Sequence, residues 1–111
     1  MNDLVSFDFQ GQNVRTLVID GEPWWVAADV SGLLGYRMAS DMTRRLEDDE
    51  KDTRLIHTHG GEQSMTIVNE SGLYAAILRS DKPEAHTFKR WITHEVLPAI
   101  RKIIAQEKAG K

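Results

Sequence analysis

The first 26 residues show the two-residue period that is typical of β-strands. Apolar side chains fall loosely on alternate positions of residues 4–10, and residues 13–20 are apolar and β-branched. The intervening Gly11-Gln12 predicts a tight turn, so these two stretches form a hairpin. Asp20-Gly21 is a second turn signal and leads into a short third strand at residues 24–26. We expect a small antiparallel sheet.

The pattern changes to a helical period after Val26. Apolar residues recur at helical spacing over residues 27–34, and Gly35 is a C-terminal stop signal. Ser40 or Asp41 can then cap a second short helix. Two short helices joined by a turn have the outline of a DNA-binding helix-turn-helix. Helix pairs of this size are common, so the pattern alone favours an ordinary αα-corner.

The second half of the chain again begins with strands. Residues 53–59 and 63–68 are strand-like, and Gly60-Gly61 between them predicts a hairpin turn. Asn69 can cap the helix that follows, because its side chain accepts a backbone N–H of the first turn.

The chain then continues as helices to its end. Pro83 suits the first turn of a helix, whereas Pro98 removes a helical hydrogen bond, so we expect a kink or restart near Leu97. The complete pattern predicts an α+β fold, in which a small antiparallel β-sheet with hairpins packs against about four to five short helices. We expect a single domain over residues 1–111, with a frayed tail at 105–111.

Composition narrows the class of protein. The chain has 111 residues, 41% of them hydrophobic, which is enough for one modest core. No apolar run approaches the ~18 residues of a membrane span, and the N-terminus lacks the pattern of a secretory signal. Cysteine is absent, which excludes disulfides and thiol catalysis. We therefore expect a cytoplasmic protein.

The net charge of −3 hides an asymmetry. Residues 1–78 carry −7, partly through the acidic run at residues 47–52, and residues 79–111 carry +4. An acidic run is usually a solvated loop, and a cation site is the minor reading. Because electrostatic fields act within about a Debye length, ~10 Å, the chain can still present a basic face to nucleic acid.

Catalytic motifs are missing from the sequence. It contains no nucleophile elbow, HExxH, P-loop or GxGxxG pattern. His57 and His59 lie two apart on a predicted strand and could start a metal site, but no third ligand is evident. We therefore predict no enzyme activity, metal or cofactor. Trp24 and Trp25 are adjacent, so only one can face the core directly, and the other can serve a binding surface.

A series of short motifs occurs in order along most of the chain: Val14-Arg15, Gly21-Glu22-Pro23-Trp24, Ala28-Asp29-Val30, Leu34-Gly35-Tyr36, Asn69-Glu70-Ser71-Gly72-Leu73-Tyr74, Ser80 through Phe88, Arg90-Trp91 and Glu95-Val96-Leu97-Pro98. Through these motifs about 96 residues, from Phe7 to Lys102, closely resemble a known family, the BRO-N domain. This domain begins baculovirus BRO proteins and many phage or prophage antirepressors. In such phage proteins a second, C-terminal domain often follows.

The resemblance implies a DNA-binding regulatory domain that controls viral or prophage gene expression. Basic residues of the two helical regions are the candidate DNA contacts: Arg37, Arg44, Arg45, Arg79, Lys82, Lys89 and Arg90. The alternative is a protein-interaction module that binds a phage repressor without touching DNA, using the acidic run and an exposed tryptophan. A homodimer through the apolar Ile100, Ile103 and Ile104 is a further possibility, unless that face packs onto its own domain.

Overall fold

A computed structural model describes residues 3–109, in which five antiparallel strands form one sheet. The strands are β1 (Asp3–Phe9), β2 (Gln12–Ile19), β3 (Glu22–Val26), β4 (Lys51–Thr58) and β5 (Gly61–Asn69). Each predicted hairpin is present. At the second turn Asp20 and Gly21 both have positive φ, 53° and 78°, which matches the right-handed twist of the strands on either side.

The order of strands in the sheet is β1-β2-β3-β5-β4. The hairpin of β4 and β5 therefore joins the first three strands through β5, which pairs with β3 at Trp25–Val68 and its neighbours. All pairings are between antiparallel strands. A helical segment forms the long connection between β3 and β4.

Two short helices occupy that connection. They are α1 (Ala27–Leu33) and α2 (Ala39–Thr43), and a 3₁₀ turn follows at Asp48–Glu50. Gly35 ends α1 as predicted, with φ of 82°, and Tyr36 N–H donates to the Ser31 carbonyl at 3.0 Å. The prediction that Ser40 or Asp41 caps α2 was wrong. The capping residue is Met38, with no side-chain cap bond, because the helix already begins at Ala39.

Three longer helices complete the fold: α3 (Glu70–Arg79), α4 (Glu84–Trp91) and α5 (Leu97–Ala109). Asn69 caps α3 as predicted, accepting the Gly72 N–H at 3.0 Å. Between α4 and α5 the chain widens into a π-helical segment, Ile92–Val96, and resumes α-helix at Leu97. Since Pro98 cannot donate to the carbonyl four residues before it, this segment is where the predicted irregularity occurs.

The helices cover one face of the sheet and form the main core with it. Trp25 and Val68 lie on that face, and both are completely buried. Phe9 contacts Phe88 edge-to-face at 5.3 Å and also packs on Trp91, which fixes the first hairpin to α4. Burial of these aromatic rings supplies much of the apolar area that stabilises the domain.

The opposite face of the sheet carries a smaller cluster of buried residues. Leu17, Val26, Ile56 and Ile67 form it, and Trp24 packs partly buried beside them. Adjacent residues of a strand point to opposite faces, so Trp25 enters the main core and Trp24 the second cluster. The expectation that only one of the two tryptophans faces the core is confirmed.

The observed arrangement confirms the predicted α+β class, an antiparallel sheet with hairpins against five α-helices within residues 3–109. The helix α5 continues through Ala109, and positions 110–111 of the predicted tail lie outside the described residues. Ile100 is buried in the domain's own core, and Ile103 and Ile104 pack partly against it. Within the described residues, no helix is both long and apolar enough to cross a membrane.

Candidate nucleic-acid interface

The corner between α1 and α2 meets the end of α3 in a basic cleft of about 420 Å³. Four arginines from the predicted set line this cleft. We call it the arginine cleft, and its lining residues are Gly35, Tyr36, Arg37, Asp41, Met42, Arg44, Arg45 and Arg79. Four guanidinium groups and one carboxylate give the lining a net charge of +3, although the chain as a whole is acidic.

Tyr36 is held firmly against α3 in this cleft. Its hydroxyl donates to the Ala76 carbonyl at 2.8 Å, and the side chain is half-buried. Burial raises the pKa of Tyr36, while the charges of Arg79 and Arg45 act to lower it. The tyrosine is therefore a neutral, fixed aromatic group at neutral pH, with two guanidinium groups in its electrostatic environment.

Gly35 allows the chain to turn into the cleft immediately before Tyr36. Its φ of 82° lies in the left-handed region, which favours glycine. A Cβ at this position would also come within 3.0 Å of Lys82 Cδ. The Leu34-Gly35-Tyr36 sequence thus ends α1 and directs Tyr36 into the cleft. The missing side chain of Gly35 leaves space for the Lys82 side chain.

Arg79 ties the end of α3 to the segment after α2. Its Nη1 donates to the Arg45 carbonyl at 3.1 Å, which uses one of five guanidinium N–H groups. Asp41 lies between two other arginines, with Oδ2 3.8 Å from Arg37 Nε and Oδ1 3.7 Å from Arg44 Nη1. Both of those arginines are strongly exposed, so their ion pairs are weak.

Lys82 lies in a smaller cleft of about 270 Å³ that shares Gly35, Tyr36 and Arg79 with the arginine cleft. Ser80 fixes this loop, since its hydroxyl donates to the Leu34 carbonyl at 2.6 Å and accepts the Lys82 N–H at 3.2 Å. Five of the seven predicted basic residues are therefore arranged around Tyr36.

The other two predicted residues lie elsewhere. Lys89 borders an apolar groove formed with Tyr74, Ile77, Leu78 and Thr93. Arg90 borders a different cleft, beside the first hairpin turn, together with Asp8, Trp91, His94 and Glu95. Because Lys89 and Arg90 are adjacent on a helix, they point in different directions, and neither lines the arginine cleft.

The second helix of the pair is short for a recognition helix. A recognition helix presents several side chains to a groove, whereas α2 has only five residues and spans about 7.5 Å. The basic side chains come instead from the corner loop, from the segment after α2 and from the end of α3. Sequence patterns indicated the residues, but not that three separate segments meet.

The acidic run forms an ordered turn against α3. Glu47 and Glu50 make a reciprocal capping box around the 3₁₀ turn, and Asn69 Nδ2 donates to the Asp49 carbonyl at 2.8 Å. Ser71 Oγ donates to Glu50 Oε2 at 2.5 Å, and the Glu47 backbone N–H donates to Glu50 Oε1 at 2.8 Å. These two bonds to the carboxylate, the Ser71 bond first, lower the pKa of Glu50. Most of the run is exposed, as in a solvated loop.

The paired histidines and the adjacent tryptophans lie in different surroundings from one another. The strand β4 ends at Thr58, so His59 lies in the turn and the two histidines do not share a strand. Among residues 3–109, no group of three or more metal-binding side chains is close enough to hold a metal ion. Trp25 is completely buried and unavailable to a partner, and Trp24 is only half-buried.

Arg15 and Asp29 form an ion pair that the sequence pattern did not reveal. It accounts for two of the motifs that carry the family resemblance, Val14-Arg15 and Ala28-Asp29-Val30. Asp29 accepts from Arg15 N, Nε and Nη2, each at 2.9 Å. The strand β3 pairs with β2 only as far as Thr16–Trp25, so beyond this point β3 offers no acceptor to Arg15, the next residue of β2. The carboxylate supplies the acceptor and anchors α1 to β2, a structural role.

Comparison with known proteins supports the resemblance seen in the residues. Residues 13–98 match the sequence model of Bro-N, described as the BRO family, N-terminal domain. An uncharacterized protein of Haemophilus influenzae is 38% identical over 102 residues, which cover 87% of this chain and 49% of that protein. A putative Bro-N domain-containing protein, 289L, of Invertebrate iridescent virus 6 is 26% identical over 117 residues, covering 88% of this chain and 28% of its own length. No solved structure matches significantly.

Proposed function

Because this chain belongs to the BRO family as an N-terminal domain, we propose that it is a DNA-binding regulatory domain of a phage or prophage antirepressor-type protein. In this role it contacts the phosphate backbone through the arginine cleft and contributes to control of viral or prophage genes. The chain spans about half or less of the length of the curated relatives it matches. We propose that it acts in the cytoplasm of a bacterial host.

The convergence of four arginines around Tyr36 is the observation that carries the proposal. These arginines come from three segments of an acidic chain, yet they line one cleft. Guanidinium groups are well suited to phosphate because their planar N–H donors match the phosphate oxygens. An aromatic side chain beside them adds a surface for a sugar or an unpaired base. Lys82 extends the same basic surface.

Binding to labelled DNA at several salt concentrations tests the proposal. Replacing Arg44 and Arg45 together by alanine should weaken binding roughly tenfold and reduce the salt dependence, because fewer counterions are released. The matched control is Lys89→Ala with Arg90→Ala, which removes the same charge outside the cleft and should have a smaller effect. Thermal unfolding of each variant confirms that the fold is retained.

The outcomes separate a specific cleft from a general charge effect. Equal loss in both double variants would mean that net charge, and not the cleft, determines binding. Absence of any shift with duplex or single-stranded DNA at about 50 mM salt would contradict the proposal, because phosphate contacts are strongest there.

An exposed apolar groove favours a second candidate function, binding of a phage repressor protein. Leu78 on α3 is 81% exposed and borders the groove with Tyr74 and Ile77. A solvated leucine beside an apolar groove is typical of a protein contact. If the domain acts in this way, Leu78→Ser should abolish capture of a phage-type repressor while the Arg44 and Arg45 variant retains it.

A further inference from the structure

The arginine cleft contains two pairs of arginines with different charge balance. In the first pair, Arg37 and Arg44 share the Asp41 carboxylate at 3.8 and 3.7 Å. The Asp41 side chain is 26% exposed, less than either arginine, so it stays close to both guanidinium groups. An incoming anion must compete with this carboxylate for the first pair.

The second pair, Arg45 and Arg79, has no such carboxylate. Within residues 3–109, neither guanidinium group makes an ion pair within 4.0 Å. The Glu50 carboxylate senses the charge of Arg79, but it already accepts from Ser71 and from the Glu47 backbone. Asp81 lines the neighbouring cleft with Arg79 and adds a negative charge near Tyr36, but it makes no ion pair with either arginine. An anion at this pair therefore has no ion-paired carboxylate to displace.

The Arg79 guanidinium is also held in place before a ligand arrives. The bond from Arg79 Nη1 to the Arg45 carbonyl joins α3 to the segment after α2. Tyr36 lies between these segments, and the charges of both arginines act on its hydroxyl. Among the residues that the structure describes, Arg79 uses one guanidinium N–H in a hydrogen bond, and the others face no acceptor there and can bind a phosphate oxygen.

We propose that Arg45 and Arg79 anchor one phosphate group, whereas Asp41 partly neutralises Arg37 and Arg44 and so limits the phosphate affinity of the cleft. The inference rests on the proposed function, and it assigns unequal roles to four arginines of equal charge. The domain then binds weakly to DNA of arbitrary sequence, because Asp41 neutralises part of the positive charge of the cleft. Asp41 is a residue that tunes affinity, and it does not itself contact phosphate.

Four single replacements by alanine test the anchor, because each removes one positive charge from the same cleft. Arg45→Ala and Arg79→Ala should weaken binding to a 20-base-pair duplex roughly tenfold and lower the salt slope by about one. Arg37→Ala and Arg44→Ala should weaken it less than about threefold, since their charges are shared with Asp41. Arg79→Lys controls for loss of the backbone bond, and it should retain more binding than alanine.

The role of Asp41 is tested by Asp41→Asn, which keeps the side-chain shape and removes the charge. This variant should bind the same duplex roughly threefold more tightly, with a steeper salt dependence. Unchanged or weaker binding would overturn the competition with phosphate. Equal losses in all four alanine variants would overturn the anchor, because the cleft would then act only through its total charge.

Titration with inorganic phosphate distinguishes a nucleic-acid backbone from a free phosphate as the source. The side-chain N–H resonances of Arg45 and Arg79 should shift in NMR spectra, and Arg45→Ala should remove the response. Saturation below about 1 mM would identify a site for free phosphate and support the anchor. If the wild-type domain binds no duplex, the proposed function fails, and the phosphate titration still decides the anchor: no shift at either arginine overturns it.

Discussion

Gly72→Ala should destabilise the domain, although alanine is the better helix former. Gly72 is buried in α3, where the helix passes closely over the 3₁₀ turn. A Cβ there would lie 2.8 Å from the Glu50 carbonyl oxygen and 3.2 Å from Leu46 Cδ1. The first of these distances is shorter than real Cβ contacts, and the obstacle is backbone.

The size of the effect follows from two opposing contributions. Alanine in a helix gains about 0.8–1 kcal/mol over glycine, whereas overpacking typically costs about 1–3 kcal/mol. The turn cannot move away freely, because Ser71 holds Glu50 and Asn69 holds Asp49 through hydrogen bonds. Weakening either bond costs about 1 kcal/mol more. We expect a net loss of about 1–3 kcal/mol in the free energy of unfolding.

Urea unfolding of Gly72→Ala and Gly32→Ala provides the measurement and its matched control. Gly32 is also helical, but a Cβ at that position meets nothing within 4 Å. The control variant should therefore be more stable than wild type by about 0.5–1 kcal/mol. A Gly72 variant with an unchanged or higher midpoint, at the same slope, would refute the close-approach argument.

Three further variants test the contacts that hold the fold. Asp29→Ala should lower the free energy of unfolding by about 2–3 kcal/mol in urea, because it leaves the Arg15 backbone N–H and guanidinium without their acceptor; a loss below about 0.5 kcal/mol would contradict this. Thr16→Val should raise the free energy of unfolding by about 0.5–1 kcal/mol and with it the thermal midpoint, since the buried Thr16 hydroxyl has no hydrogen-bond partner among residues 3–109; a lower midpoint would refute it. Ser71→Ala should destabilise the domain at pH 7 but much less below the lowered pKa of Glu50. Groups with a depressed folded pKa stabilise above the ordinary value, about 4.5, and lose that contribution as pH falls. A constant difference in urea midpoint across that pH range would exclude Glu50 as the cause.

Local signals predicted most of the elements because each depends on neighbouring residues. Asp20-Gly21 determines a two-residue hairpin turn, Gly35 ends a helix and Asn69 begins one. The alternation at Trp24 and Trp25 likewise places adjacent side chains on opposite faces of a sheet. These features need no information about distant parts of the chain.

Contacts between segments that are distant in the sequence could not be predicted from such local signals. Pairing of β3 with β5 brings the two halves of the chain together, and nothing in either strand's pattern specifies that partner. The arginine cleft has the same origin, since Arg79 meets Arg45 across 34 residues. The sequence named both arginines by charge, together with Lys89 and Arg90, which lie outside this cleft. Charge alone does not show which way a side chain points.

The π-helical segment at Ile92–Val96 has a geometric consequence for the last helices. Phe88, Ile92, Val96 and Ile100 are spaced by four and all buried. On a regular α-helix each such step advances the side chain by about 40°, so the fourth residue would point roughly 120° away from the first. A wider turn takes more residues per revolution and rotates the later side chains back. The π-helical turn therefore offsets the drift in side-chain direction around the helix axis. As a result, a single line of large side chains can face the sheet along both α4 and α5.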